Sequence, residues 1–303
     1  MTFSQGSRGQ FAYVAESTYG TTPGTPSMIA MRITGHTLAG VKDTFVSEEL
    51  RADRQIVDAR HGVRSVAGDI SFEFSYGAFD DFLESALCGT YATNVLKAGT
   101  AQKSFTFEDG FMDLTTPVYN VFTGCRVNTM NLNIQTGGMV TGTFGILGAN
   151  ETSSTTALDA SLTAAPTHPP FDSFSGSISE GGSTIGSVSA LEIALDNGLD
   201  PAYVVGEDTV QQMIDGRSNV TGTLTAYFES NALLNKFLNE TESSISVTLE
   251  GASGGDYTIL IPRVKYTGAA IPRAVGPRLY QLPFQALRDS SEATNIKITR
   301  IPA

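Results

Sequence analysis

A change of hydrophobic period inside residues 64–89, R-S-V-A-G-D-I-S-F-E-F-S-Y-G-A-F-D-D-F-L-E-S-A-L-C-G, constrains this chain more than any other feature. Ile70, Phe72 and Phe74 alternate with Asp69, Ser71 and Glu73, the period of a strand with one buried face. From Phe79 the period lengthens. Phe79, Phe82, Leu83, Ala86 and Leu87 then share one side of a short helix, with Asp80, Asp81 and Glu84 opposite. Gly89 is free to take the positive φ that ends such a helix. The same succession returns at residues 217–239, where Leu224, Ala226 and Phe228 alternate with Thr223, Thr225 and Tyr227. Ala232, Leu233, Phe237 and Leu238 then supply a shorter helical stripe. Individual residues also correspond: Arg64 and Ser65 with Arg217 and Ser218, Val66 and Gly68 with Val220 and Gly222, Phe74 with Phe228, Ala78 with Ala232, and Phe82 and Leu83 with Phe237 and Leu238. Two one-residue slips are needed. Any two β-rich segments share some pattern; the sharper reading, and the one this spacing favours, is a tandem duplication.

The chain's 303 residues leave room for two domains of about 150 residues each. Charged residues are sparse at 17 %, Trp is absent, and most apolar runs alternate over a few residues, which is β-rich composition. The expected fold is therefore mainly β with short helices, as two tandem β-sandwich or barrel domains at 31–148 and 171–288, each with a helix covering one end. Residues 149–170, small, polar and ending in His-Pro-Pro, are read as the linker. Residues 1–30, rich in Gly, Ser, Thr and Pro, are read as an N-terminal assembly arm with Tyr13 and Tyr19 as anchors, and residues 289–303 as an extended C-terminal arm.

Two long excursions interrupt the strands. Residues 43–64 mix both charge signs densely, with Asp43, Glu48, Glu49, Arg51, Asp53, Arg54 and Arg60, and are longer than a hairpin requires. Residues 196–216, with Asp200, Tyr203, Glu207 and Asp208, form a similar excursion in the second half. Long excursions on compact domains tend to carry function, so these residues are the candidates for subunit or ring contacts.

No catalytic, metal or cofactor motif emerges. His36, His61 and His168 are scattered, and Cys88 and Cys125 have neither metal-site spacing nor disulfide density. The neighbours Glu48 and Glu49, or Asp80 and Asp81, diverge on a strand or helix and cannot form a catalytic carboxylate pair unaided. G-A-S-G-G-D at 251–256 lacks the Gly-Lys-Ser/Thr ending of a phosphate-cradling loop and is read as a turn. Neither an enzyme nor a cofactor is expected. The net charge is −12, with 10 Lys and Arg against 14 Asp and Glu in residues 1–150, and 9 against 17 in residues 151–303. Such a surface opposes binding to phosphate backbones. No window approaches the roughly 20 apolar residues of a membrane span, and the opening M-T-F-S-Q-G-S-R-G-Q-F lacks the apolar core of a secretory signal, so the expected place of synthesis and residence is the cytoplasm.

E-S-T-Y-G-T-T-P-G-T-P at 16–26, S-E-E-L-R-A-D-R-Q at 47–55 and G-D-I-S-F-E-F-S-Y-G-A-F-D-D-F-L-E-S-A-L-C-G-T at 68–90 together resemble the tail tube (major tail) proteins of long-tailed bacteriophages. The resemblance implies a virion structural protein whose tube domains join their inner sheets into a β-barrel around a channel, in rings that stack. Single-domain relatives form hexameric rings, so a duplicated chain should form trimers with pseudo-sixfold symmetry. The implied partners are the chain itself, the tape measure, tail tip and tail terminator proteins, and viral DNA passing through without specific binding. The implied location is the virion tail, with the host cytoplasm during assembly. An adhesin or carbohydrate-binding β-sandwich is the alternative, disfavoured by the missing Trp platform; a β-sandwich hydrolase would need a pocket with convergent acids.

Overall fold

The structure is a computed structural model and describes residues 3–272 and 275–302, so Met1 and Thr2 of the N-terminal arm and Ala303 of the C-terminal arm lie outside the described residues. Its spine is one antiparallel sheet of eight strands. In spatial order these are Ala39–Val46, Ala59–Glu73, Thr141–Gly148, Val118–Gln135, Val188–Asp196, Asn219–Tyr227, Leu279–Ala286 and Asp256–Tyr266. The sheet is open. It does not close into a barrel within one chain, which corrects the barrel alternative: both terminal strands would need a further partner.

The period-two pattern explains why this sheet is buried on one side only. Ile70, Phe72, Phe144, Met130, Leu132, Leu191, Ile193, Val220, Leu224, Leu282 and Phe284 all point into the core, at 2 % exposure or less. Close packing there tolerates no extra atoms. A Cβ on Gly142 would come within 2.4 Å of the Phe72 ring, and one on Gly222 within 2.4 Å of Phe284.

Two smaller layers cover the core face. Ile29–Ala30, Gln10–Ala15, Phe105–Phe111, the first part of Val118–Gln135 and Asn150–Ser154 form one. Ser183–Thr184, Gly176–Glu180, Ser243–Leu249, the first part of Asp256–Tyr266 and Lys297–Ile301 form the other. Val118–Gln135 and Asp256–Tyr266 belong to both layers, and each passes from outer layer to spine next to a register shift in its outer pairing, between Phe105 and Phe107 in the first case and between Ser243 and Ile245 in the second. The order of pairings within residues 10–154, called here the first half, is thus the order within residues 176–301, the second half.

Helices Asp80–Ala86 and Ala232–Leu238 sit at matching places and end alike. Just past each, a non-glycine residue takes positive φ, Cys88 at 46° and Glu240 at 53°. The Cys88 N–H donates to Ser85 O and the Glu240 N–H to Phe237 O, both at 3.2 Å. The helix ends therefore align Ala86 with Leu238, and Phe82 and Leu83 do not align with Phe237 and Leu238. A slip of about one turn keeps an apolar stripe in phase, so pattern matching does not detect it.

Three segments differ from the sequence expectation. Much of 43–64 is not a loop, because Thr44, Phe45 and Val46 pair with His61, Arg60 and Ala59 and extend the hairpin, leaving 47–58 as its tip. Residues 10–15 and 150–154, expected in an arm and a linker, are strands of the outer layer. Residues 297–301 are a strand between 256–260 of the second half and 95–97 of the first.

Candidate functional site

Three surfaces follow from this arrangement. The first is the polar face of the spine. Positions 67–73, 129–135, 141–147, 190–196, 219–227 and 279–285 that face away from the core carry Thr, Ser, Asn, Gln, small and apolar residues and four carboxylates, Asp69, Glu73, Glu192 and Asp196, with no Lys or Arg; on the terminal strand Lys265 stands opposite Gln285 and pairs with Glu240. The register sets the acids in two rows. One reads Glu73, Thr141, Asn133, Glu192, Thr223 and Pro283; the other reads Asp69, Gly145, Thr129, Asp196 and Asn219. In each row the acids stand three strands apart, about 14 Å at the usual strand spacing. A groove of about 520 Å³ runs along this face between Asn131, Glu192, Thr223 and Gln285.

The second surface is the pair of sheet ends. Ala39–Val46 is exposed along its whole length and, among the described residues, has Ala59–Glu73 as its strand partner, with the Gly40 N–H donating to Glu151 Oε2 at 2.5 Å. At the other end, residues 264–270 bond to Leu279–Ala286 on one side, including Thr267 N to Pro283 O and the mutual pair of Ala270 and Gln281. On their other side only Val264 has a strand partner, Ser243, among the described residues. The corresponding stretch of the first half, Thr129 to Gln135, is filled by Val188–Asp196, with Asn131 opposite Ala194.

The third surface lies where the halves meet. The segment 197–216 leaves its own half and crosses the first. Asn197 donates from Nδ2 to Ala86 O at 2.8 Å and Val127 O at 3.2 Å, and Leu199 N–H donates to Asn128 Oδ1 at 2.8 Å. Arg126, 3 % exposed, donates to Met213 O at 3.1 Å and to Asp215 Oδ1 at 2.5 Å. Val210 and Met213 are buried against Ala149, with Tyr19 and Leu147 packed beside them. Burial pushes the Cys88 thiol up and the Asp215 charge adds to it, against a smaller lowering by Arg126. On the far side of the junction, the Tyr257 phenol donates to Asp80, and Arg300 pairs with Asp80 at 2.6 Å. Burial first, then the Asp80 carboxylate, holds that phenol well above its usual range.

The sequence-derived candidates fall in different places. Tyr13 is buried in its own chain, donating to Asp81 Oδ2 at 2.9 Å and packing on Phe82. Tyr19 packs beneath the crossing segment. Arg51 pairs with Asp53 at 3.1 Å and Arg60 with Asp58 at 3.5 Å, both on the exposed hairpin. Asp43, Glu48, Glu49 and Arg54 are exposed on the same hairpin and lie in no ion pair among the described residues. Asp208 pairs with Arg64, while Asp200, Tyr203 and Glu207 lie on the crossing segment. Sequence reasoning missed Glu16, Arg126, Asn197 and Asp215, whose long-range partners are 70 to 111 residues away in the chain. Among the described residues no group of His, Cys, Asp and Glu could hold a metal ion, and no helix is long and apolar enough to cross a membrane.

The family model for phage tail tube proteins matches residues 6–286, nearly the whole chain. The chain belongs to the phage tail tube protein family. A search of curated proteins finds no match. As a tail tube protein it is a structural component of the virion tail, associating with copies of itself and with other tail proteins.

Proposed function

We propose that three copies of this tail tube protein close a ring with pseudo-sixfold symmetry around a channel for viral DNA, and that such rings stack into the tube. The observation that carries this reading is the junction inside the chain. Val188–Asp196 of the second half adds to Val118–Gln135 of the first in a seven-residue register, so two similar sheets become one. The same join repeated between chains would place the 39–46 edge of one copy against the 264–270 edge of the next. Edge strands that would otherwise recruit partners without limit are thereby consumed, and the repeat closes when the rotation closes. On this reading the halves are two duplicated tube domains.

The polar face then lines the channel. Its rows of Asp69, Glu73, Glu192 and Asp196, with Lys265 at the terminal strand already paired to Glu240, repel the phosphate backbone and keep DNA in transit from adhering. Tape measure, tail tip and tail terminator proteins are the partners of such a tube, and subunits assemble in the host cytoplasm. Electron microscopy of purified protein and native tails tests the reading. Stacked rings of three chains with six similar domains are expected; rings of six whole chains would remove the pseudo-sixfold argument, and a persistent monomer would remove the tube.

A further inference from the structure

The two halves use equivalent hairpins unequally. In the second half, Asp200–Ala202 pairs with Gln212–Ile214, and this hairpin is clasped onto the first half. In the first half the hairpin of 44–46 with 59–61 occupies the equivalent place between equivalent strands, yet its tip, residues 47–58, makes no hydrogen bond or ion pair beyond the hairpin among the described residues. It nevertheless carries apolar side chains in water: Leu50 is 98 % exposed and Ile56 74 %, Val57 is also exposed, and so is Phe45 on the adjoining strand.

The second half has a matching deficit. The clasp covers Ala86, Cys88 and Arg126, all buried. The helix ends align Ala86 with Leu238 and Cys88 with Glu240, and the strand registers align Arg126 with Lys265, because the register shift after Phe105, opposite Cys125, recurs after Ser243, opposite Val264, and Arg126 and Lys265 come next. An independent contact supports the alignment. Arg126 Nη2 lies 3.8 Å from Cys88 Sγ, and Lys265 Nζ lies 2.7 Å from Glu240 Oε2. In the second half these positions are open: Leu238 is 62 % exposed, and the Ala232–Leu238 helix has no buried residue, whereas Asp80–Ala86 buries Phe82, Leu83, Ser85 and Ala86.

We infer that residues 47–58 of one copy clasp the second half of an adjacent copy in the same ring, laying Leu50 and Ile56 over Leu238 as 197–216 lays Val210 and Met213 over the first half. The inference rests on the ring reading above and adds a division of labour to it. One hairpin is spent within the chain, and the other is left to bind a second copy. The choice of a second copy as occupant rests on this equivalence of hairpins and of the surfaces they would cover, since the cations beside Leu238's end of the helix, Lys265 and Arg263, are already paired with Glu240 and Glu242. Burial of Leu50, Ile56 and Leu238 supplies the affinity.

The test is a full-length chain with Leu50→Cys and Leu238→Cys, assembled and treated with a short bismaleimide; Cys88 and Cys125 are buried, and the unsubstituted chain is the control. Rings are imaged in the same samples. The expected product joins the strap of one chain to the second half of another and stops at three linked chains. A ladder beyond three means that the strap reaches another ring, and intact rings without cross-links mean that it covers something else; either overturns the clasp but leaves the tube. Failure of the unsubstituted protein to form rings overturns both. Independently, Leu50→Ser with Ile56→Ser should leave monomer melting unchanged and raise the concentration needed for ring formation about tenfold or more. An unchanged assembly concentration would overturn the clasp.

Discussion

Arg126 in the first half and Asp215 in the second meet at 2.5 Å across a junction where the guanidinium is 3 % exposed. The pair couples two stretches of chain that share no local sequence signal. It also fixes the crossing segment whose burial distinguishes one half from the other.

Removing Asp215 should therefore cost more than an ordinary surface pair. In Asp215→Ala the buried guanidinium keeps Met213 O but loses its counter-charge, and about 2–3 kcal/mol of stability is expected to go. Arg126→Met combined with Asp215→Ala should cost less than the two single changes added, because the second change removes a charge already stranded. Urea unfolding of the four proteins measures this; strict additivity would mean that the two groups act separately.

Glu16 should anchor the N-terminal segment. Its carboxylate accepts from Gly20 N, Ser104 Oγ, Thr106 Oγ1 and Gly124 N, all at 2.7 to 2.8 Å. Glu16→Ala strands four donors, and the expected loss is about 2 kcal/mol after water replaces some of them. Limited proteolysis should open residues 16–28 faster than in the parent, whereas an unchanged cleavage pattern would show that neighbouring contacts hold the segment.

Charge on the polar face should matter to transit and not to folding. Glu73→Lys with Glu192→Lys changes two partly or fully exposed side chains, so unfolding midpoints should shift by no more than about 0.5 kcal/mol per site. Particles carrying the variant should release DNA more slowly, with the delay shrinking as salt rises. A delay insensitive to salt would argue for a steric cause.

Stability should fall on both sides of neutrality. Lys297, then Lys97, holds the Glu292 carboxyl below its usual range, Ser291 does so for Asp289, and Arg263 for Glu242. As pH drops below about 4 the unfolded chain takes up protons before these folded carboxylates do, so their contribution, present above that range, is lost as pH falls through the lowered folded values. Glu108, raised by burial, acts in the opposite direction but is one group. Burial holds the Tyr13 and Tyr257 phenols above their usual range, so their contribution is complete below about pH 10 and is lost as pH rises beyond it. Melting temperature followed across pH should show a plateau with two falling limbs; a maximum below pH 4 would contradict the acid limb.

The sequence by itself determined the alternating strands, both short helices and the recurrence of one strand-helix unit, because side-chain period is a local property that burial on one face must respect. It identified the family segment at 68–90 for the same reason: strand, turn and helix signals lie within a few residues of one another. Only the tertiary structure decided that the sheets of the two halves fuse through Leu132 and Ile193, that Asp69, Glu73, Glu192 and Asp196 share one face, and that 10–15 and 150–154 are strands. Those outcomes depend on register and on partners such as Arg126 and Asp215, 89 residues apart. Backbone pairing at long range is chosen by whichever edges are left open once the local elements have formed, and no window of sequence records that choice.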